Sequence, residues 1–251
     1  MKNMKSILFG VSVLVLGISM IGFISKETNR EVCEKVMVSI DNQLDNHFID
    51  KNDVINIINS HGSKKLEGQM FNQLNIRFME KQLVNNSYIA DAQIYKQHKG
   101  VLLVKVLLRR PIARLVYKER PDFYISESGK LLPISEKYSS RVLLVTGDSL
   151  PYFDVRSTLK GTAYQDLLQL IHFIKEDPFW KSQISQINYQ SVDDIVLVPQ
   201  VTKQRIEFGS IIQIADKFRR LKIFYKQILP RKGWNSYKRV NLKFENQIIC
   251  E

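Results

Sequence analysis

The chain has 251 residues, of which 44% are hydrophobic and 25% charged, an apolar share that supports packed cores and excludes an intrinsically disordered chain. Two cysteines, Cys33 and Cys250, stand near opposite ends of the polar part of the chain, which excludes a disulfide framework and a cysteine-based metal site. The formal net charge of +12 points to an anionic neighbour: nucleic acid, or the lipid and wall polymers that a membrane-tethered domain meets outside the cell.

From Ser6 to Ser25 no residue is charged. The apolar run over 7–24 has about the twenty residues that a helix needs to cross a hydrocarbon core roughly 30 Å thick. Spanning as a helix also satisfies the backbone groups internally, as lipid requires. A cleaved signal peptide is the alternative, since Lys2 and Lys5 form a basic leading region. The length of the run and the lack of an Ala-x-Ala site after it favour an uncleaved anchor. Cys33 follows too late to be a lipid-modified cysteine. Lys26 and Arg30 behind the run nearly balance Lys2 and Lys5 before it, so the charge bias favouring a short tail (1–6) inside and the bulk outside is slight.

A polar linker over 25–35 leads to a short alternating strand, Val36 to Ile40. Asp50 then caps a helix whose Val54, Ile57 and Ile58 form one apolar face, with Gly62 as its stop. A second helix is predicted from Met70 to Val84, with Phe71, Leu74 and Phe78 at helical spacing, ended by Asn85-Asn86. The period then becomes two. Asp91 to Gln97 and Val101 to Leu108 read as a hairpin around Gln97-His98-Lys99-Gly100. Strand, helix, helix, strand, strand in about seventy-five residues can bury a core of its own. Arg110-Pro111 punctuates the boundary between this module, 36–109, and a second one, 110–251.

The second module is richer in strands. Phe123 to Ile125 and Leu131 to Ile134 flank a Ser-Glu-Ser-Gly turn, and Arg141 to Thr146 forms an apolar strand. A helix covers Ala163 to Lys175, with Leu167, Leu168, Ile171 and Ile174 inward. Strands follow at Ile184–Tyr189, Ile195–Val198 and Arg205–Phe208, then a helix from Ile212 to Ile228. Val240, Leu242 and Phe244 alternate with Asn241, Lys243 and Glu245, which predicts one last strand from Arg239 to Cys250. The fold class is α+β: an N-terminal membrane helix, a β-α-α-β-β module, and a mixed, mainly antiparallel β domain with flanking helices.

Several of these segments carry a family likeness. The stretch from Leu83-Val84-Asn85-Asn86 through Ala90-Asp91-Ala92 to Tyr95 resembles the closing half of a POTRA module. Leu102 to Leu108, followed by Arg109-Arg110-Pro111-Ile112-Ala113-Arg114, resembles the exit from the POTRA domain of bacterial FtsQ/DivIB. The hairpin from Phe123 to Ile134 is similar to the first hairpin of that family's β domain. Phe208-Gly209-Ser210, Lys217 to Leu221, Gly233-Trp234 and Val240 to Ile249 resemble its closing helix and strand. The likeness spans nearly the whole chain in the right order. It implies a single-pass protein of the cell (inner) membrane with a cytoplasmic N-terminus and the bulk periplasmic or extracytoplasmic, placed at the division septum. It further implies a scaffold for FtsB- and FtsL-like partners, with other divisome proteins reached through the POTRA-like module.

By that resemblance a partner strand adds to the edge of the last β strand, where unpaired backbone groups bind and alternate side chains select. Lys243 and Phe244 take the basic and aromatic positions of the family's binding strand, and Trp234, Tyr237 and Arg239 precede them. The alternative places Phe244 in the core and leaves Lys243 as a solvated guard of the edge. The basic stretch from Lys217 to Lys243 lacks a helix-turn-helix, a zinc pattern or RNP-like aromatics, so it reads as a solvated helix face or an acidic-partner surface and not as a nucleic-acid site. The first strand, Val36 to Ile40, could dock another protein by fold analogy, or the module could be a spacer.

Enzyme readings find little support. His47, His61, His98 and His172 lack metal-ligand spacing, and there is no Gly-x-Ser-x-Gly, P-loop or dinucleotide fingerprint, so no cofactor or metal is expected. Ser157-Thr158-Leu159-Lys160 matches a Ser-x-x-Lys pattern without its companion motifs, and Asp193-Asp194 falls in a turn. Two other readings stay open: a different POTRA-bearing envelope assembly protein, or a membrane-anchored cell-wall enzyme of unrecognised type.

Overall fold

Alternation along Val101–Leu108 puts Leu102, Val104, Val106 and Leu108 on one face, each no more than 1% exposed, while Lys105 and Leu107 face outward. This strand is the centre of a small sheet. The structure, a computed structural model, describes Leu14 and residues 31–41, 46–59, 65–153 and 162–251. The chain divides into two compact units, Met1–Leu108 and Arg109–Glu251.

In the first unit, β1 (Lys35–Asp41) runs parallel to β3 (Val101–Leu108), and β2 (Ile89–Gln97) pairs antiparallel on its other side. Helix α1 (Lys51–Asn59) packs against β1 and α2 (Ile76–Asn85) against β2, so Val54, Ile58, Met79 and Leu83 cover the apolar face. Asp50 and Asp53 cap α1 reciprocally: Asp53 N–H donates to Asp50 Oδ1 at 2.9 Å and Asp50 N–H to Asp53 Oδ2 at 3.0 Å. The single helix predicted from Met70 to Val84 is broken. A 3₁₀ turn at Phe71–Gln73 ends at Leu74, and Asn75 caps α2 by accepting from Phe78 N–H at 3.1 Å. Across the sheet, Glu80 Oε1 accepts Ile94 N–H at 2.8 Å and so satisfies a backbone donor of the edge strand β2.

The second unit is built on nine strands in the order β12-β11-β10-β9-β8-β7-β4-β5-β6. They are β4 (Pro111–Leu115), β5 (Phe123–Ser126), β6 (Leu131–Pro133), β7 (Leu143–Thr146), β8 (Ile184–Ser191), β9 (Asp194–Pro199), β10 (Arg205–Gly209), β11 (Arg239–Asn241) and β12 (Ile249–Cys250). The pairs β4/β7, β7/β8 and β10/β11 are parallel and the others antiparallel. Helices α3 (Thr162–Glu176), α4 (Pro178–Gln183) and α5 (Ile214–Ile223) pack onto it. Trp180, Phe208, Phe218, Leu221 and Phe224, all 2% exposed or less, form the middle of this core. Asp177 caps α4 by accepting Phe179 N–H at 2.8 Å.

Two predictions for this unit need correction. The helix expected from Ile212 to Ile228 becomes α5, a π-turn at Phe224–Ile228 and α6 (Leu229–Lys232), with Leu229 N–H donating to Phe224 O five residues back just before Pro230, which has no N–H to continue the ladder. The strand expected from Arg239 to Cys250 is two strands joined by a turn, with Asn246 in the left-handed region at φ 57°. The membrane-helix reading over 7–24 lies, apart from the helical Leu14, outside the described residues, as do His61 and Ser157 to Lys160. Among the described residues no helix is long and apolar enough to cross a membrane.

Candidate functional site

The last strand is short because the chain must reverse direction within twelve residues. Val240 and Leu242 are fully buried and pull β11 into the core, while Lys243 to Gln247 are exposed. Gly209 permits the close approach of this turn: at φ +71°, a Cβ there would lie 2.9 Å from Lys243 Cγ. β11 is paired on both sides, parallel to β10 and antiparallel to β12. The strand that carries Arg239 is therefore interior, and the open edge belongs to β12.

The register fixes which backbone groups that edge offers. Arg239 and Glu251 exchange both bonds, Glu251 N–H to Arg239 O at 2.9 Å and Arg239 N–H to Glu251 O at 3.0 Å. The next opposed pair is Val240 and Cys250, and the one after it Asn241 and Ile249. In an antiparallel ladder bonded and non-bonded pairs alternate, so the N–H and C=O of Cys250 point away from β11, toward the open side. Its side chain shares the face of Val240 and packs against the core, where burial pushes its thiol pKa up. The opposite face carries charge. Arg239 lies between Glu251, at 2.9 Å, and Glu207 of β10, at 3.6 Å.

The residues before β11 present aromatics. α6 ends at Gly233, whose φ of +101° turns the chain so that its N–H donates to Leu229 O at 2.8 Å. Trp234 follows, 50% exposed, with its ring centroid 6.4 Å from that of Tyr225. The Trp234 carbonyl accepts from Gln204 Nε2 at 2.7 Å, and Gln204 Oε1 accepts from the Thr202 hydroxyl at 2.9 Å. Tyr237 is half-buried against Phe224, 5.8 Å between centroids.

The residues after β11 lie in the turn and not in a strand. Phe244 is 48% exposed, so it does not fill the core. Lys243 is paired with Asp194 of β9 at 2.9 Å, and its N–H donates to Asn241 Oδ1 at 2.9 Å. Trp234, Tyr237 and Arg239 thus approach the edge through the loop into β11, and Lys243 and Phe244 through the turn out of it.

Part of the basic stretch is not a solvated face. Lys217 and Arg220 of α5 are 5% and 8% exposed. Lys217 Nζ donates to Phe208 O at 3.0 Å and to Ser210 O at 2.6 Å, and burial lowers its pKa. Arg220 donates to backbone carbonyls of the 242–247 turn. Sequence reasoning missed both residues, together with Gln204. A signal was present: Lys217 is spaced three from Ile214 and four from Leu221, on the apolar stripe of the helix, and Asp216 stands four before Arg220.

Elsewhere the second unit has open clefts of about 500 Å³, one lined by Tyr117, Lys118, Arg120, Asp148 and Tyr152. Lys118 and Asp148 pair across it at 2.5 Å and are both largely exposed, while the Tyr117 hydroxyl donates to Pro151 O at 3.0 Å and burial pushes its pKa up to about 12. Among the described residues no group of His, Cys, Asp or Glu could hold a metal ion.

Comparison with known families gives two matches. A family model described as FtsQ/DivIB, C-terminal related, matches residues 110–251. A second, described as a POTRA-like domain, matches residues 31–107. No curated protein matches the chain.

Proposed function

The chain belongs to the FtsQ/DivIB family, and on that premise we propose that it is a cell-division scaffold whose last strand accepts an extended segment of a partner protein. One observation carries the reading: β12 ends a nine-stranded sheet with the N–H and C=O of Cys250 turned to the open side. Unpaired edge groups are a template for another strand, and main-chain bonds supply the affinity while side chains select. Exposed Phe244 and Trp234 flank the edge on both sides. Aromatics at the centre of an interface are its usual anchors.

The partner in this reading is an FtsB- or FtsL-type division protein. The exposed Arg231, Lys232, Lys238 and Arg239 near the loop into β11 suit an acidic flank on that partner, which steers encounter more than it adds affinity. The role is one of binding, with no catalysis, cofactor or metal. The run at 7–24 anchors the chain in the cell membrane with its N-terminus inside, so that both units work outside the cytoplasm at the septum. The POTRA-like unit provides a separate place for other divisome proteins, its β1 edge being the candidate because Glu80 already occupies a donor of the β2 edge.

A fluorescent fusion of the full chain followed through the cell cycle, with depletion of the protein, tests this. Midcell signal and filamentous cells on depletion are expected. A diffuse envelope signal with normal division would overturn the reading in favour of another envelope function.

A further inference from the structure

Two residues of strand do not hold themselves in place. β12 has only Ile249 and Cys250, and an edge ladder that short is a small fraction of what an independent hairpin needs. The turn before it, 242–247, is exposed over most of its length and carries carbonyls that no helix or strand ladder satisfies. Arg220 meets them from below. Its Nη1 donates to Phe244 O at 2.8 Å and also to Gln247 O, and its Nη2 reaches Leu242 O at 3.5 Å. The guanidinium is itself held by Asp216, whose Oδ2 accepts from Nε at 2.8 Å. One planar fork therefore grips the beginning, middle and end of the turn.

We propose that Arg220 is a positioning residue for the partner-binding edge: it ties the 242–247 turn to α5 and so fixes both Phe244 and the backbone of β12 before a partner arrives. The inference rests on the scaffold reading for what the edge is for, but not for what holds it. Guanidinium presents five donors in a rigid plane, which several carbonyls can share, whereas ammonium is a compact point charge on a flexible stem. A buried position in α5, with its neighbours Phe218 and Leu221 at 1% and 0% exposure, makes the fork part of the core and not of the surface. If the edge is competent to bind only while the fork holds it, apparent affinity scales with the competent fraction, so a fall of that fraction to about a tenth weakens binding about ten-fold.

The test uses the full chain in detergent, with the FtsB-type protein of the same organism as probe. Arg220→Lys is compared with wild type, with Asp216→Ala as a milder variant that keeps the arginine but removes its anchor, and with Phe244→Ala as a contact control. Arg220→Lys should speed amide exchange about ten-fold across 242–251, leave exchange in β8 and α3 unchanged, and weaken binding about ten-fold. Asp216→Ala should shift both in the same direction by less. Phe244→Ala should weaken binding and leave exchange at the edge as it was. Unchanged exchange in Arg220→Lys and Asp216→Ala, or faster exchange at the edge with full affinity, overturns the proposal. Failure of the wild-type chain to bind the FtsB-type protein counts against the partner reading alone, and the exchange measurement then decides by itself whether Arg220 holds the edge.

Discussion

Gln204 Nε2 donates to the carbonyl oxygen of Trp234 across 2.7 Å from a position only 2% exposed. A long polar side chain in that setting fixes the loop above it, because the bond it makes is the one its burial requires. Gln204→Ala leaves the Trp234 carbonyl and the Thr202 hydroxyl without that partner. Roughly 1–3 kcal/mol of stability should be lost, read as a lower urea midpoint with an unchanged slope. The same variant should bind the partner more weakly, since the Trp234 loop loses its support.

The backbone parity of β12 makes a sharper prediction. Cys250 directs its N–H to the open side, so Cys250→Pro removes a group that the folded chain does not use. Proline is tolerated on an edge strand where its nitrogen faces outward, so stability should fall only by the packing that the Cys250 side chain makes against the core, about 1 kcal/mol. Strand addition should be abolished. Ile249→Pro is the control, because by alternation its N–H bonds to β11, and about 1–3 kcal/mol should be lost. Calorimetry for stability and co-purification with the FtsB-type protein separate the two. Full partner binding by Cys250→Pro would remove the edge as the site.

Phe244→Ala removes an aromatic that is half exposed and contributes little to the core. The melting temperature should stay within a few degrees while the dissociation constant rises about ten-fold, the cost of about 1.4 kcal/mol that places a contact among the minority costing more than about 1 kcal/mol on truncation. Lys243→Glu acts differently. It places a carboxylate beside Asp194 in place of the present 2.9 Å ion pair, so it should lower both stability and affinity. Unchanged affinity in both variants would exclude this turn from the interface.

How much of this was legible in the sequence depended on the range of the interactions. Helix α3, predicted over Ala163 to Lys175, and the hairpin β5–β6 follow from local periodicity and turn chemistry, and the structure has them within a few residues. The last strand was misread because Val240, Leu242 and Phe244 alternate correctly. The break comes from Asn246 at positive φ and from a buried arginine on a helix some twenty residues earlier, neither of which a window of sequence reports. Strand β4 was read as punctuation at Pro111, and its pairing with β7 is parallel and non-local. The residues proposed for the site lie close to the edge along the chain, yet Arg220 and Gln204, which hold the 242–247 turn and the Trp234 loop, and Lys217, which holds the end of β10, looked like ordinary surface charge and amide.

Acid should weaken the second unit through three carboxylates. Glu127 is held below its ordinary pKa by its bond from Lys175, Asp177 by Lys222 at 3.0 Å, and Asp216 by Arg219 with Arg220 behind it. A carboxylate with a depressed folded pKa contributes stability that is present above its unfolded value, about 4, and is lost as pH falls through the folded one. Melting temperature should therefore be flat above about pH 5 and drop below about pH 4. All three pairs are partly exposed, so added salt should shrink the effect. Asp177→Asn keeps an acceptor for Phe179 N–H but removes the titration, and should flatten its share of the drop.

A sheet that ends on an unfilled strand has an unfinished equilibrium. If the proposed partner adds to β12, each bound molecule extends the sheet to ten strands and withdraws a folded molecule from the unfolding balance, by an amount set by free partner concentration over its dissociation constant. The protein's resistance to unfolding and proteolysis thus becomes a gauge of partner supply. On that reading, copies made in excess of their partners should carry a bare edge and the shorter lifetime that goes with it.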